Sequence, residues 1–143
     1  MPSVKDIMTK EVVTIEANKT VFEAAEIMTD KGLSCLIVVI KAFPVGIITE
    51  RDIVRRIVAK RASLDLKVTE VMSKTLITVE PETSLKEAAR IMSTNKIRRL
   101  PVLKQNKLVG IVAASDFVRN VGKKTTTEEI LDALGRYPTG PGI

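Results

Sequence analysis

Hydrophobic and polar positions occur in the same order twice along the chain. In each half a short apolar segment is followed, after a longer interval, by a nearly continuous aliphatic and β-branched run, a polar turn and a second such run. Runs of this kind bounded by turn residues predict buried strands, and a connection of about four residues favours an antiparallel hairpin. The predicted strands are residues 12–15, 35–40 and 45–48 in the first half and 76–79, 100–103 and 109–112 in the second.

Helices are predicted between and after these strands. The apolar residues between the first two strands of each half recur at helical spacing, and Thr20 with Glu23 and Ser84 with Glu87 have the spacing of a capping box. Further helices are predicted directly after each hairpin, with short helical turns before the first strand of each half. These segments are residues 50–61, 115–121, 5–8 and 69–72.

The two halves are copies of one unit. Residues 4–57 align with residues 68–121 at a constant offset of 64 without a gap, and about a third of the paired positions are identical. The sequence therefore predicts an α+β protein built from two β-α-β-β-α repeats, residues 1–63 and 64–122. Because each repeat is small for an independent core, we expect the two to share one. Residues 123–143 are predicted to form a C-terminal helix and a flexible tail.

Composition excludes several kinds of chemistry. The chain of 143 residues has no histidine and one cysteine, Cys35, so a zinc site and histidine-assisted nucleophilic catalysis are not expected. No apolar stretch approaches the roughly 18 residues of a membrane span, and no secretory signal is evident. A single cysteine also favours a reducing compartment. These features predict a cytoplasmic protein without a metal site.

The positive charge is distributed along most of the chain. The net charge is +6, but only residues 51–61 hold a local cationic run. Such a run is most often a solvated helix face, while an anionic small ligand or partner is the main alternative. Four aromatic residues do not make a stacking platform for single-stranded nucleic acid.

The duplicated motifs resemble those of a known family. The first repeat has M-T-x-x-V-x-T at its start and G-I-x-T-x-x-D where the second hairpin strand meets a helix, and the second repeat has R-R-L-P-V in its central strand. In this order they are similar to the CBS-domain pair, over about residues 1–122. The resemblance implies repeats packed with pseudo-twofold symmetry and an adenosine-containing ligand in clefts between them. It also implies a non-enzymatic regulatory module that acts through an unidentified protein partner and forms a homodimer through its helices.

The resemblance also implies binding residues. Asp52 and Asp116 match the carboxylate that accepts hydrogen bonds from the ribose hydroxyls in the family; the alternative is that each only complements the helix dipole. Thr49 matches a hydroxyl near phosphate, whereas Ala113 replaces it in the second repeat and puts that contact in doubt. Gly46 and Gly110 are expected to let each strand end beside a ligand. The residues directly before the carboxylates, Arg51 and Ser115, match family residues that approach the phosphate of the partner cleft.

Two arginines favour a phosphorylated ligand. Arg98 and Arg99 enter a predicted central strand, where one side chain must point inward and needs an anion, either a phosphate or a structural salt bridge. Their equivalents, Ser34 and Cys35, match small residues of the adenine pocket. The positions expected to sandwich the adenine are Leu33, Ile47, Ile97 and Ile111. We therefore expect AMP in preference to ADP or ATP, and S-adenosylmethionine least.

Two other functions are less consistent with the sequence. A nucleic-acid adaptor would use the cations of residues 51–61 and would bind with a steep dependence on salt. An enzyme would need a nucleophile, a base and an orienting group, and the sequence shows no such constellation.

Overall fold

The computed structural model of the chain describes residues 2–120. The strands are β1 (Thr14–Glu16), β2 (Cys35–Ile40), β3 (Phe43–Thr49), β4 (Arg99–Lys104) and β5 (Lys107–Ala113). The α-helices are α1 (Val21–Lys31), α2 (Glu50–Ile53), α3 (Leu85–Asn95) and α4 (Ala114–Arg119). A π-helix, Val54–Val58, continues α2, and 3₁₀ turns occupy Val4–Asp6 and Val68–Glu70. The helix and tail predicted for residues 123–143 lie outside the described residues.

The two hairpins pair antiparallel, as the sequence predicts. β1 pairs in parallel with β2, and β2 pairs antiparallel with β3, with Leu36 opposite Ile48. In the second repeat β4 pairs antiparallel with β5, and Leu100 lies opposite Val112. The segment predicted as the leading strand of this repeat contributes only a parallel bridge between Val79 and Val102. Both hairpins turn through two residues with left-handed backbone, and these are Lys41, Ala42, Gln105 and Asn106.

Each compact unit of the chain has its own hydrophobic core. One unit is Val13–Leu76, and the other combines the described residues up to Val12 with those from Ile77 onward. The first is built around Leu36, Ile48 and Ile57, and the second around Met92, Leu100 and Phe117. The expectation of a single shared core is wrong. Each hairpin buries its aliphatic side chains against a helix of its own unit, α1 in the first and α3 in the second.

The lead segment of each sequence repeat, residues 4–12 in the first and 68–76 in the second, packs in the unit formed mainly by the other repeat. In the unit that contains β5, Thr9 and Ile111 exchange main-chain hydrogen bonds of 2.9 and 3.0 Å. In the unit that contains β3, Ser73 and Ile47 exchange bonds of 2.9 and 3.1 Å. The compact units therefore differ from the repeats at 1–63 and 64–122, because each lead satisfies backbone groups at the edge of the hairpin in its own unit.

The two long helices begin with related caps. Thr20 and Glu23 form the full capping box: the Glu23 amide donates to Thr20 Oγ1 and the Thr20 amide donates to Glu23 Oε1, both at 3.1 Å. The hydrogen bond from the Thr20 amide is the main cause that lowers the pKa of Glu23. In α3 only half of the box forms, because Glu87 pairs with Arg90 instead of reaching back to Ser84.

Within residues 2–120, no helix combines the length and the apolar character that a membrane span requires.

Candidate functional site

Thr49 and Asp52 form a capping box where β3 meets α2. The Asp52 amide donates to Thr49 Oγ1 (3.1 Å), and Asp52 Oδ2 accepts hydrogen bonds from the Thr49 amide (2.9 Å) and hydroxyl (3.0 Å). These bonds fix the half-buried carboxylate at the strand-to-helix junction. Asp52 Oδ1 takes part in none of the hydrogen bonds found within residues 2–120, so its two lone pairs keep their acceptor capacity.

Asp116 is the equivalent residue of the second repeat, and its surroundings differ. Its Oδ2 accepts from the Ala113 amide at 2.7 Å, and its Oδ1 is paired with the Arg119 guanidinium. The Asp116 side chain is 4% exposed, whereas that of Arg119 is 67% exposed. Asp116 is thus a buried carboxylate with both oxygens in contact, and Arg119 covers it from the solvent side.

The helices that follow the two carboxylates differ as well. α4 is a regular α-helix through Arg119, so the residue three positions after the aspartate reaches it. In the first repeat the helix widens to a π-helix from Val54, and Arg55 makes no ion pair with Asp52. Within that π-helix, Arg56 Nη1 donates to the Val71 carbonyl at 2.8 Å, which ties the helix to the lead segment of its own unit.

Gly46 and Gly110 are contacted by methionines of the lead segments. A Cβ atom at Gly46 would lie 2.4 Å from Met72 Sδ and 2.7 Å from the Ser73 carbonyl oxygen. At Gly110 it would lie 2.5 Å from Met8 Sδ and 3.0 Å from the Thr9 carbonyl oxygen. The space that these glycines leave on their strands is therefore filled by protein, and the expectation that each strand ends beside a ligand stays a prediction.

The remaining predicted site residues lie on the strands, directly before them, or in the first turn of the helix that follows each hairpin. The four apolar positions predicted to contact adenine are half-buried: Leu33, Ile47, Ile97 and Ile111. Cys35 and Arg99 are half-buried at equivalent positions that begin β2 and β4, while Arg98 is exposed. Ser34 and Arg98 anchor the next helix through their main chains, accepting from the Glu50 amide (3.0 Å) and the Ala114 amide (2.9 Å). Arg51 and Ser115 are exposed.

A groove of about 580 Å³ lies in the Val13–Leu76 unit, between α1 and α2. Its lining includes Leu33 and Ser34 from the predicted site but not Asp52, so the groove and the carboxylate are different features of this unit. The lining also includes Met28, Ile53 and Val54, which makes it mainly apolar. The residue equivalent to Ile53 in the second repeat is the larger Phe117, which is 2% exposed.

Sequence reasoning missed one residue at the site, Arg119. Its distance of three residues from Asp116 is the signal that could have found it, since residues so spaced face each other on a helix. The same spacing joins Asp52 and Arg55 in the first repeat, where no pair forms. Among residues 2–120, no cluster of three histidine, cysteine, aspartate or glutamate side chains could hold a metal ion.

The comparisons with known proteins agree with this architecture. The CBS domain family matches residues 4–59 and again residues 68–123. A CBS domain-containing protein of Bacillus subtilis, YhcV, is 42% identical over 120 residues, which cover 84% of this chain and 86% of that protein. This chain therefore belongs to the CBS-domain family and contains a tandem pair of its domains.

Two solved structures have the same fold. A protein with CBS domains from Burkholderia ambifaria superposes with a TM-score of 0.79 and 31% identity, over 87% of this chain and 98% of that one. The CBS-domain pair of protein MJ0100, solved in complex with 5′-methylthioadenosine and S-adenosyl-L-methionine, superposes with a TM-score of 0.77 and 31% identity, over 87% and 99%. The resemblance predicted from the motifs is confirmed.

Proposed function

We propose that this CBS-domain pair is a non-enzymatic, cytoplasmic regulatory module that binds an adenosine-containing ligand, with AMP preferred. The observation that carries the proposal is the Asp52 carboxylate, which Thr49 fixes through Oδ2 while Oδ1 keeps its acceptor capacity. Two vicinal ribose hydroxyls need such a fixed acceptor, and a charged acceptor strengthens each hydrogen bond. The solved complex of MJ0100 holds two ligands that share this adenosine group.

The neighbouring residues suit the rest of such a ligand. Leu33 and Ile47 offer half-buried aliphatic surface in the same unit as Asp52. Arg51, next to Asp52, is exposed and is the cation that we assign to the ligand phosphate. A phosphate near arginine can accept two parallel hydrogen bonds, and this is the reason for preferring AMP over an uncharged or sulfonium ligand.

The experiment is calorimetric titration of AMP, ATP, S-adenosylmethionine and 5′-methylthioadenosine into the wild-type chain and Asp52→Asn. We expect saturable binding by the wild type and a loss of about tenfold or more in Asp52→Asn, because hydrogen bonds to a charged group contribute about 1.5–3 kcal/mol. An asparagine oxygen can still accept from the Thr49 amide, so the helix cap is retained. Asp30→Asn, an exposed residue of α1, is the control for the change of charge.

Equal affinity of wild type and Asp52→Asn would remove Asp52 from the site. No binding by any of the four ligands would contradict the proposed function and return attention to the nucleic-acid adaptor. That alternative would rest on Arg51, Arg55, Lys60 and Arg61, since Arg56 is engaged with the Val71 carbonyl.

We also propose that a second copy of this chain covers the apolar helix surface of the Val13–Leu76 unit. Phe22 on α1 and Val54 and Val58 on the π-helix are between 48% and 65% exposed, and the apolar groove continues this surface at Val54. Exposed apolar side chains beside an apolar groove on a small protein favour an interaction site. A self-complementary patch that forms a twofold dimer is the commonest arrangement in soluble oligomers.

The dimer is tested by replacing Val58 with aspartate. A charge placed in an apolar contact loses its hydration, so we expect Val58→Asp to shift the chain from dimer to monomer in size-exclusion chromatography with light scattering. Ile40→Asp is the matched control, because Ile40 is an exposed apolar residue at the end of β2 and away from the helices. A wild-type monomer, or equal dissociation by both variants, would contradict this interface.

A further inference from the structure

The two aspartates that the repeat makes equivalent have opposite accessibility. Asp52 is half-buried and offers Oδ1, while Asp116 is 3% exposed and has one contact on each carboxylate oxygen. A ribose that approached Asp116 would have to displace the Arg119 guanidinium from Oδ1. A hydroxyl gains only from the charge of the carboxylate, whereas the guanidinium also brings an opposite charge to a carboxylate that is buried, so two hydroxyls exchange unfavourably for it.

The position before the helix adds to this difference. Thr49 supplies a hydroxyl that both accepts from the Asp52 amide and donates to its carboxylate. Ala113 supplies only its amide, so Asp116 lacks the donor that holds Asp52 through Oδ2 and takes its second contact from Arg119 instead. The arginine thus occupies Oδ1, the carboxylate oxygen that in Asp52 keeps its acceptor capacity, and the Asp116 carboxylate that it neutralises is buried.

Helix geometry explains why only one repeat has this contact. Both repeats have an arginine three residues after the aspartate, Arg55 and Arg119. The α-helical turn of α4 places Arg119 over Asp116, whereas Arg55 lies in the π-helix and makes no ion pair with Asp52. The wider turn of a π-helix changes which residues face each other, and such turns occur often at functional sites.

We infer that Arg119 blocks ligand binding at Asp116 by occupying its Oδ1 atom. The chain therefore binds one adenosine ligand, at Asp52, instead of one at each aspartate. This inference rests on the proposed function and specifies its stoichiometry. Arg119 is a specificity-determining residue: it touches no ligand and acts by occupying the acceptor that a second ligand would need.

The test is the number of ligands bound per chain, measured by calorimetry with AMP and separately with 5′-methylthioadenosine. Counting sites of wild-type affinity, we expect one per chain for the wild type, none in Asp52→Asn, whose site is weakened about tenfold or more, and one in Asp116→Asn. Ala113→Thr restores the hydroxyl but keeps the ion pair between Arg119 and Asp116, so we expect this variant to bind one ligand per chain. Ala113→Thr combined with Arg119→Gln should bind two, and adding Asp116→Asn to this pair should return the number to one.

Several results would overturn the inference while leaving the proposed function intact. These are two ligands per chain in the wild type, loss of binding in Asp116→Asn, two ligands in Ala113→Thr alone, or one ligand in the folded double variant. Absence of binding by every variant would instead contradict the proposed function. Circular dichroism checks that each variant is folded, and if Arg119→Gln is not, the wild type and the two single aspartate variants still decide the stoichiometry.

Discussion

Phe117→Ala is expected to lower the free energy of unfolding by about 3–5 kcal/mol, the largest effect of any single change considered for this chain. Phe117 is 2% exposed and belongs to the core cluster that includes Met92 and Leu100. Removing the ring loses its transfer free energy and leaves a cavity, because a close-packed core relaxes only partly. Urea unfolding followed by circular dichroism measures the change.

The repeat supplies a matched control at the equivalent position. Ile53 is half-buried at the edge of the groove between α1 and α2, so Ile53→Ala removes fewer core contacts and leaves a space already open to solvent. We expect it to cost less than about 2 kcal/mol, below the range for fully buried isoleucine. Equal losses for the two variants would mean that Phe117 does not fill its core as the structure indicates.

Much of the secondary structure could be predicted because local patterns and tertiary packing agree. The aliphatic run that became β2 was predicted with its observed bounds, Cys35–Ile40, because β-branched residues of this density suit a strand buried on both faces. The capping box of Thr20 and Glu23 formed as predicted because both partners are local. At α3 the box was half right, since Arg90 competes for the Glu87 carboxylate one turn away.

Long-range features of the fold were not predictable in the same way. The offset of 64 shows that two units exist, but it does not show in which unit each lead segment packs. Each of the two cores includes a valine from the lead segment of the other repeat, since Val4 and Val68 are both fully buried there. The π-helix at Val54–Val58 also has no local signal, since no glycine or proline interrupts it.

The difference between the two aspartates was only partly visible in the sequence. Ala113 in place of a threonine indicated that the second motif is incomplete. The spacing D-x-x-R indicates an arginine near the aspartate in both repeats, and only helix geometry shows that the pair forms at Asp116 and not at Asp52. The individual binding residues stay predictions that the titrations test.

Gly46→Ala is expected to destabilise the chain by about 1–3 kcal/mol, as overpacking of a filled site does. The new methyl would lie 2.4 Å from Met72 Sδ and 2.7 Å from the Ser73 carbonyl oxygen, and both distances are too short for real contacts. The methionine can change its rotamer, but the carbonyl is part of the bridge between Ser73 and Ile47 and moves only with the lead segment.

A double-mutant cycle with Met72→Ala separates these two contacts. If the thioether carries part of the strain, Met72→Ala will cost less in the Gly46→Ala background than alone, with a coupling free energy of about 0.5–3 kcal/mol by urea unfolding. Gly110→Ala is the matched comparison, since its nearest carbonyl is 3.0 Å away, and it should cost less than Gly46→Ala. Strict additivity together with a neutral Gly46→Ala would contradict the packing of the lead on β3. If Gly46→Ala lowers the free energy of unfolding but shows no coupling to Met72→Ala, the strain lies on the Ser73 carbonyl. The backbone of the lead segment would then be the rigid part of this contact, and the Met72 side chain the part that adjusts.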